Sequence, residues 1–392
     1  MRLLPRAYAA LVRALDSARR RVPAYRTLNR IELQQAALLH NFHLFQARHP
    51  QLSIMPVLKG NAYGHGLREI ARMLDDAPCG LLVVDGYFEA GAIRRSSRHR
   101  VLVLGYILPE NVPLLDTKRC SFVVQDIAGL EAFGRLGRAV HIHLEINTGM
   151  NRMGLRPDEV DAYLAAVKRF PLLHLEGVMT HLADADRPAG DAATRAQTEL
   201  FDKCVGRILA AGFTPRFIHI AQTAGSSKVQ SRYATALRLG IGLYGINPLC
   251  PDDPQYAALQ SLRPVLSLKS TIVRTIAVRP GERIGYNGTY GVTESMRIGV
   301  LPLGYYEGVP RELSNSGVVT AGSRALPITG RVCMNYTMID LRGSSLAAGD
   351  EVTVISADPL QPNSVVRLSA DHHLFPYTIL TALSSSVRRI TI

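Results

Sequence analysis

At 392 residues, 47% hydrophobic and 20% charged, the chain holds enough apolar material for one large and one smaller domain, and no apolar run reaches the roughly 18 residues of a membrane span. Its five cysteines lack CxxC or finger spacing, which suggests neither a disulfide framework nor a metal site and points to a reducing, cytoplasmic setting. The net charge of +13 gathers in Arg19–Arg21 and in Arg94, Arg95, Arg98 and Arg100 without interleaved aromatics, the pattern of a solvated basic face rather than a nucleic-acid binder.

Residues 1–26 are a basic extension whose Tyr8, Leu11, Val12 and Leu15 share one helical face. Arg13 interrupts any secretory apolar core, while a surface helix, an ill-ordered arm and a transit peptide all stay open. Ile31, Leu33, Ala36, Leu39 and Phe42 then predict a helix over 30–47. The apolar run Ile54–Leu58 predicts a buried strand that stops at Lys59, in the stretch SIMPVLKGNAYGHG. Burial disfavours an ammonium, so a lysine where such a strand runs out is either a cap reaching for solvent or a nucleophilic amine.

Similar runs recur at 81–84, 101–104, 122–124, 140–146, 175–179, 217–220 and 236–243, with helical stretches such as 160–170 and 193–211 between them. With the run before Lys59 these are eight strands, which predicts an α/β fold built on a (β/α)8 barrel, an open doubly wound sheet being the fallback. GNAYGHG lacks the GxGxxG spacing of a dinucleotide fold. Barrel chemistry collects where strands end, and these ends are polar: Lys59, then Glu145, Asn147 and Arg152, then His181, then Gln222 and Thr223, then Arg238 before Gly240.

After about Ser261 helical patterns nearly vanish. Runs at 267–276, 297–301, 317–320, 338–341 and 351–356 predict a smaller, mostly β domain, with one late helical stretch at 366–383. The expected limits are 1–26 for the extension, 27–262 for the barrel and 263–392 for the β domain, with residues near 27–33 pairing with the latter.

The motifs VLKGNAYGHG (57–66), NTGMNRMGL (147–155), MTHLADAD (179–186), LRLGIGLYG (237–245), GERIGYNGTYG (281–291), LPLGYYEGVPR (301–311) and GRVCMNYTMIDL (330–341) stand in the order of one family. In these the chain resembles the alanine racemases, fold-type III enzymes that use pyridoxal 5′-phosphate. The resemblance implies that Lys59 carries the cofactor and that Tyr63, Thr223, Tyr377 and the backbone N–H groups of Gly240 and Ile241 hold its phosphate. It implies that Arg238 faces the pyridine nitrogen and that His181 links Arg238 to Tyr286. Tyr286 would enter from the partner subunit of a head-to-tail homodimer. Lys59 and Tyr286 would then be two bases on opposite faces of the α-carbon, interconverting L- and D-alanine and supplying D-alanine for peptidoglycan. Arg152 and the Met334 N–H would meet the substrate carboxylate, and Tyr305 would narrow the entrance.

A serine or broad-specificity racemase is the alternative, followed by a pyridoxal-phosphate carrier and by a decarboxylase of the same fold, for which Cys333 lies near the relevant place. The chain departs from common family patterns at Glu145, where a carbamylated lysine is frequent, at Asn147, at Gln222-Thr223 and at Asn335. Glu145 is expected to supply to Arg152 the negative charge that the carbamate supplies elsewhere.

Overall fold

The computed structural model describes residues 25–392, so the expectations for residues 1–24 lie outside the described residues. The chain opens with β1 (Arg30–Leu33), and a helix follows at Gln35–Arg48. Eight parallel strands then build one sheet: β2 (Ser53–Pro56), β3 (Leu82–Val84), β4 (Val101–Val103), β5 (Cys120–Val124), β6 (Val140–Glu145), β7 (Leu173–Met179), β8 (Phe217–His219) and β9 (Ala236–Leu239). Their order is β2-β9-β8-β7-β6-β5-β4-β3, and the ends meet through a bridge between Val57 and Val83, with Leu58 N donating to Val83 O at 2.7 Å. The sheet is therefore a nearly closed barrel. Strands covered on both faces need continuous apolar runs, and these supply them.

The second, mostly β part holds a six-stranded sheet. Its order is Arg324–Pro327, Val318–Ala321, Glu351–Ile355, β10 (Leu266–Thr271), β1 and Arg388–Thr391. A three-stranded sheet joins Arg274–Val278, Met296–Leu301 and Thr337–Asp340. Asn41, fully buried, staples the barrel to the start of this part: its Nδ2 donates to Leu243 O and Arg263 O, and its Oδ1 accepts from Arg263 N. No helix among the described residues is long and apolar enough to cross a membrane.

Four local expectations need correction. The helix foreseen over 30–47 begins only at Gln35, because Ile31 and Leu33 also satisfy a period of two. β1 spends that alternation between β10, antiparallel, and Arg388–Thr391, parallel. The run 236–243 stops as a strand at Leu239 and turns through Gly240 into a 3-10 turn, Ile241–Tyr244. The run 267–276 is divided between two sheets. The helix foreseen over 366–383 is two, Val365–His372 and Pro376–Thr381, parted by His373 at φ 55° and by Pro376, which has no N–H to continue the ladder. The strands Arg324–Pro327 and Arg388–Thr391 had no expectation, their alternation being too short to read.

Candidate active site

Lys59 comes two residues beyond the end of β2, after Val57 and Leu58, and is half-buried rather than enclosed. Beyond it the backbone makes a left-handed turn: Gly60, Asn61, Ala62, Tyr63 and Gly64 have φ of 63, 55, 54, 51 and 80°. For the three that carry side chains this costs about 1–2 kcal/mol each. The turn is held from several sides. Asn61 N donates to Glu89 Oε1, Asn61 Oδ1 accepts from Leu67 N, and Arg389 Nη2 donates to Gly64 O at 2.8 Å. Its effect is to bring Tyr63 back over the barrel mouth, 5.0 Å from the Tyr244 ring and 6.0 Å from that of Tyr377.

A cavity of about 950 Å³ opens at the C-terminal ends of the strands. Lys59, Tyr63, His181, Thr223, Arg238 and Tyr377 line it, as do Gly240 and Ile241. Tyr377 comes from the helix Pro376–Thr381 of the second part, which lids the mouth. Burial, with a smaller contribution from Asp186, pushes the Tyr377 phenol up to about 12. Burial likewise raises Tyr63, so both phenols stay protonated donors at neutral pH.

Arg238 is the fixed centre. It is 2% exposed, its Nη1 donates to His219 Nδ1 at 2.8 Å and to His219 O at 2.9 Å, and its Nη2 donates to Thr180 O, Ile220 O and His181 Nδ1. Only Nε makes no hydrogen bond among the described residues. Burial lowers the guanidinium to about 10, so it remains a cation. Burial, then the charges of Arg238, Arg152 and Lys59, push His181 down to about 3. His181 is thus neutral, and because Nδ1 accepts from Arg238 its proton sits on Nε2.

An elongated anion with an aromatic ring fits this wall. At one end the Tyr63 and Tyr377 phenols, the Thr223 hydroxyl and the Ile241 N–H form a donor set. At the other end stands the unused Nε of Arg238. Gly240 N and Gly242 N both donate to Thr223 Oγ1 at 3.2 Å, so this hydroxyl sits in the backbone cup.

The remaining sequence candidates do not line this cavity, although Arg152 and Glu145 border a crevice that His181 also lines. Arg152 is exposed. Glu145 is buried and accepts from Gln125 Nε2 at 3.3 Å; it makes no ion pair with Arg152 among the described residues, and its charge acts on Arg238 instead. The reason is geometric, since the 147–154 loop carries Arg152 outward. Tyr286, Met334 and Tyr305 are 67, 55 and 44% exposed and do not line the cavity. They are neighbours on one face, where Tyr305 N donates to Cys333 O and a Cβ on Gly285 would lie 3.2 Å from Arg331 N. His219 was missed by sequence reasoning, although a histidine inside the apolar run FIHI was a readable signal.

An amine, a buried guanidinium and an anion cup at the mouth of a parallel barrel, beside a β domain, define a (β/α)8-barrel enzyme with a small-molecule site. Residues 33–248 match the family model for the alanine racemase N-terminal domain, and residues 265–391 match that for the C-terminal domain. The chain belongs to the alanine racemase family, a family of isomerases. An alanine racemase of Geobacter sp. (strain M21) is 33% identical over 373 residues, covering 92% of this chain and 97% of its own length. The crystal structure of alanine racemase from Bacillus anthracis with bound L-Ala-P superposes with a TM-score of 0.85 at 28% identity, over 95% of this chain and 96% of that one. That from Bartonella henselae with covalently bound pyridoxal phosphate shares the fold, with a TM-score of 0.79 at 22% identity, over 94% of this chain and all of that one.

Proposed function

We propose that the protein interconverts L- and D-alanine in the cytoplasm with pyridoxal 5′-phosphate, as a head-to-tail homodimer, and that the D-alanine feeds peptidoglycan synthesis. The observation that carries this is the neutral His181 bonded to the buried Arg238 in the same cavity wall as Lys59 and the donor cup of Tyr63, Thr223 and Tyr377. Residues 27–262 form the cofactor barrel and residues 263–392 complete the partner's site.

Lys59 would hold the cofactor by its amine, the donor cup its phosphate and Arg238 its ring nitrogen. When bound, the cofactor supplies a sink for the electron pair left on the α-carbon after its proton departs. Arg238 donates a hydrogen bond to the ring nitrogen but keeps its proton, which favours return of the proton to the same carbon. Racemisation needs a base on each face. Lys59 Nζ serves one face, and Tyr286 of the partner chain serves the other. Its exposure, with that of Tyr305 and Met334 beside it, supports a role in another subunit's site. His181 Nε2–H is then the donor that steadies the Tyr286 oxygen as it gives and takes the proton. The Met334 N–H and Arg152 are assigned to the substrate carboxylate, and Tyr305 to the entrance.

The test is incubation with pyridoxal phosphate and L-alanine in deuterated water, following optical rotation and α-carbon deuteration by NMR. Loss of rotation with deuteration is expected, and Lys59→Ala should abolish both. No exchange from protein that has taken up the cofactor refutes the reading. The same assay with L-Ser, L-Lys and L-Arg separates an alanine racemase from a serine or broad-specificity one.

A further inference from the structure

Beneath Arg238 a file of buried polar side chains runs down through the barrel. His219 and His143 are wholly buried, with His219 Nε2 2.9 Å from His143 Nδ1, and His143 Nε2 lies 3.5 Å from Glu176 Oε2. The same Oε2 accepts from Arg100 Nη2 at 3.1 Å and from the Ser121 hydroxyl, while Arg100 Nη1 holds Oε1. Two backbone features build this file. The register of β6 on β7 shifts at Ile142/His143, so Glu176 falls in a bulge, which re-aims a side chain. Next to it Gly177 leaves room for the His143 ring, whose Nδ1 would stand 2.3 Å from any Cβ there.

The proton positions follow from one fact. A guanidinium only donates, so His219 Nδ1 must accept from Arg238 Nη1. The proton of neutral His219 is therefore on Nε2 and goes to His143 Nδ1. The proton of His143 is then on Nε2, which makes no full hydrogen bond among the described residues and has the Glu176 carboxylate 3.5 Å away as an acceptor. Every donor in the file faces the same way, and the file ends on an acceptor.

We propose that Glu176 is a positioning residue of the reaction: through His143 and His219 it sets the tautomer that lets His219 hold the Arg238 guanidinium, tying the base of the barrel to its mouth. This rests on the reading of Arg238 as the group that meets the cofactor ring. Burial alone would raise the Glu176 carboxyl, but the nearby His143 and the hydrogen bonds from Arg100 and Ser121 hold it well below the usual carboxylate range. It is an anion at neutral pH and accepts only. A glutamine whose oxygen takes the Oε1 place against Arg100 Nη1 puts its NH2 in the Oε2 place, facing Ser121 and His143. Both imidazoles would then have to reverse, and His219 would face Arg238 with a proton.

The test is ¹⁵N–¹H correlation NMR of histidine-labelled full-length protein, free of cofactor, with steady-state kinetics of the loaded protein alongside. Wild type is expected to show His143 and His219 as Nε2–H tautomers. Glu176→Gln is expected to reverse or mix them and to lower kcat about tenfold or more, with KM changed less than about threefold. Glu176→Asp keeps the carboxylate and should retain the wild-type tautomers and most of kcat. An Nδ1–H His219 in the wild type overturns the proposal whatever the variants do. So does a Glu176→Gln protein with unchanged tautomers, or with reversed tautomers and undiminished kcat. Absence of racemase activity in the wild type would instead refute the functional reading, and the tautomers would still be measured.

Discussion

Asn335 Nδ2 donates to Glu307 Oε1 at 2.8 Å, while Glu307 Oε2 accepts from Gly304 N at 2.7 Å. One carboxylate thus ties together two loops. Between them Tyr305 N donates to Cys333 O and Tyr306 N to Met334 O, each at 3.0 Å. An amide at 335 is needed because Glu307 has only lone pairs to offer, which accounts physically for one departure from the family's common aspartate.

Asn335→Asp should therefore set two carboxylates against each other and loosen the loops that present Tyr305 and Met334. KM for L-alanine is expected to rise about three- to tenfold, with kcat less affected. Adding Glu307→Gln should recover most of the loss, which a double-variant cycle of steady-state kinetics will measure.

If Tyr286 acts in the partner's site, Lys59→Ala and Tyr286→Phe are each inactive alone yet complement each other. After unfolding and refolding an equal mixture, half of the dimers are mixed and each has one intact site, so about a quarter of wild-type activity should return. A mixture as inactive as its parents would refute a shared site.

Gly64 has φ 80°, and a Cβ there would lie 1.9 Å from Leu380 O. Gly64→Ala should destabilise by about 2–4 kcal/mol and lower Tm, because the helix that carries Tyr377 must move. Weakened cofactor binding is expected with it, read by the cofactor's absorbance at equal protein.

Acid should begin to destabilise the fold from about pH 6.5 downward. Burial lowers His65 from 6.5 to about 4, and its ring packs 4.4 Å from that of Tyr244. Above pH 6.5 it is neutral in both states. Between 6.5 and about 4 only the unfolded chain takes up the proton, so stability present at neutral pH is lost as pH falls through that window. The shift corresponds to on the order of 3 kcal/mol. Buried His143 and His219 are lowered too and act in the same sense. Urea unfolding at stepped pH should show the fall, and His65→Phe should flatten it.

Glu145 stands where a carbamylated lysine is frequent in the family the chain resembles, and it bears on Arg238 directly. Glu145→Gln is expected to lower activity several-fold through Arg238, with no recovery on adding bicarbonate; recovery would show that a modified residue elsewhere supplies the charge.

Much of the fold was legible because its signals are local. Each buried strand needs its own apolar run, each turn its own glycine or proline, and the change of rhythm after Ser261 separates barrel from β domain. Failures came where one stretch satisfies two periods, as in Arg30–Leu33, or where a run is cut by backbone geometry, as at Gly240. Both are settled by partners far away in the chain.

By itself the sequence determined which residues could do chemistry, since lysine, arginine and tyrosine at polar strand ends carry their reactivity wherever they sit. Only the tertiary structure decided how they are held. The left-handed turn after Lys59 rests on Glu89 and Arg389, the orientation of Arg238 on His219, and the tautomer of His219, through His143, on Glu176 of the neighbouring strand. Hydrogen bonds between residues remote in sequence leave no period and no spacing to read, because closing the barrel is what creates them.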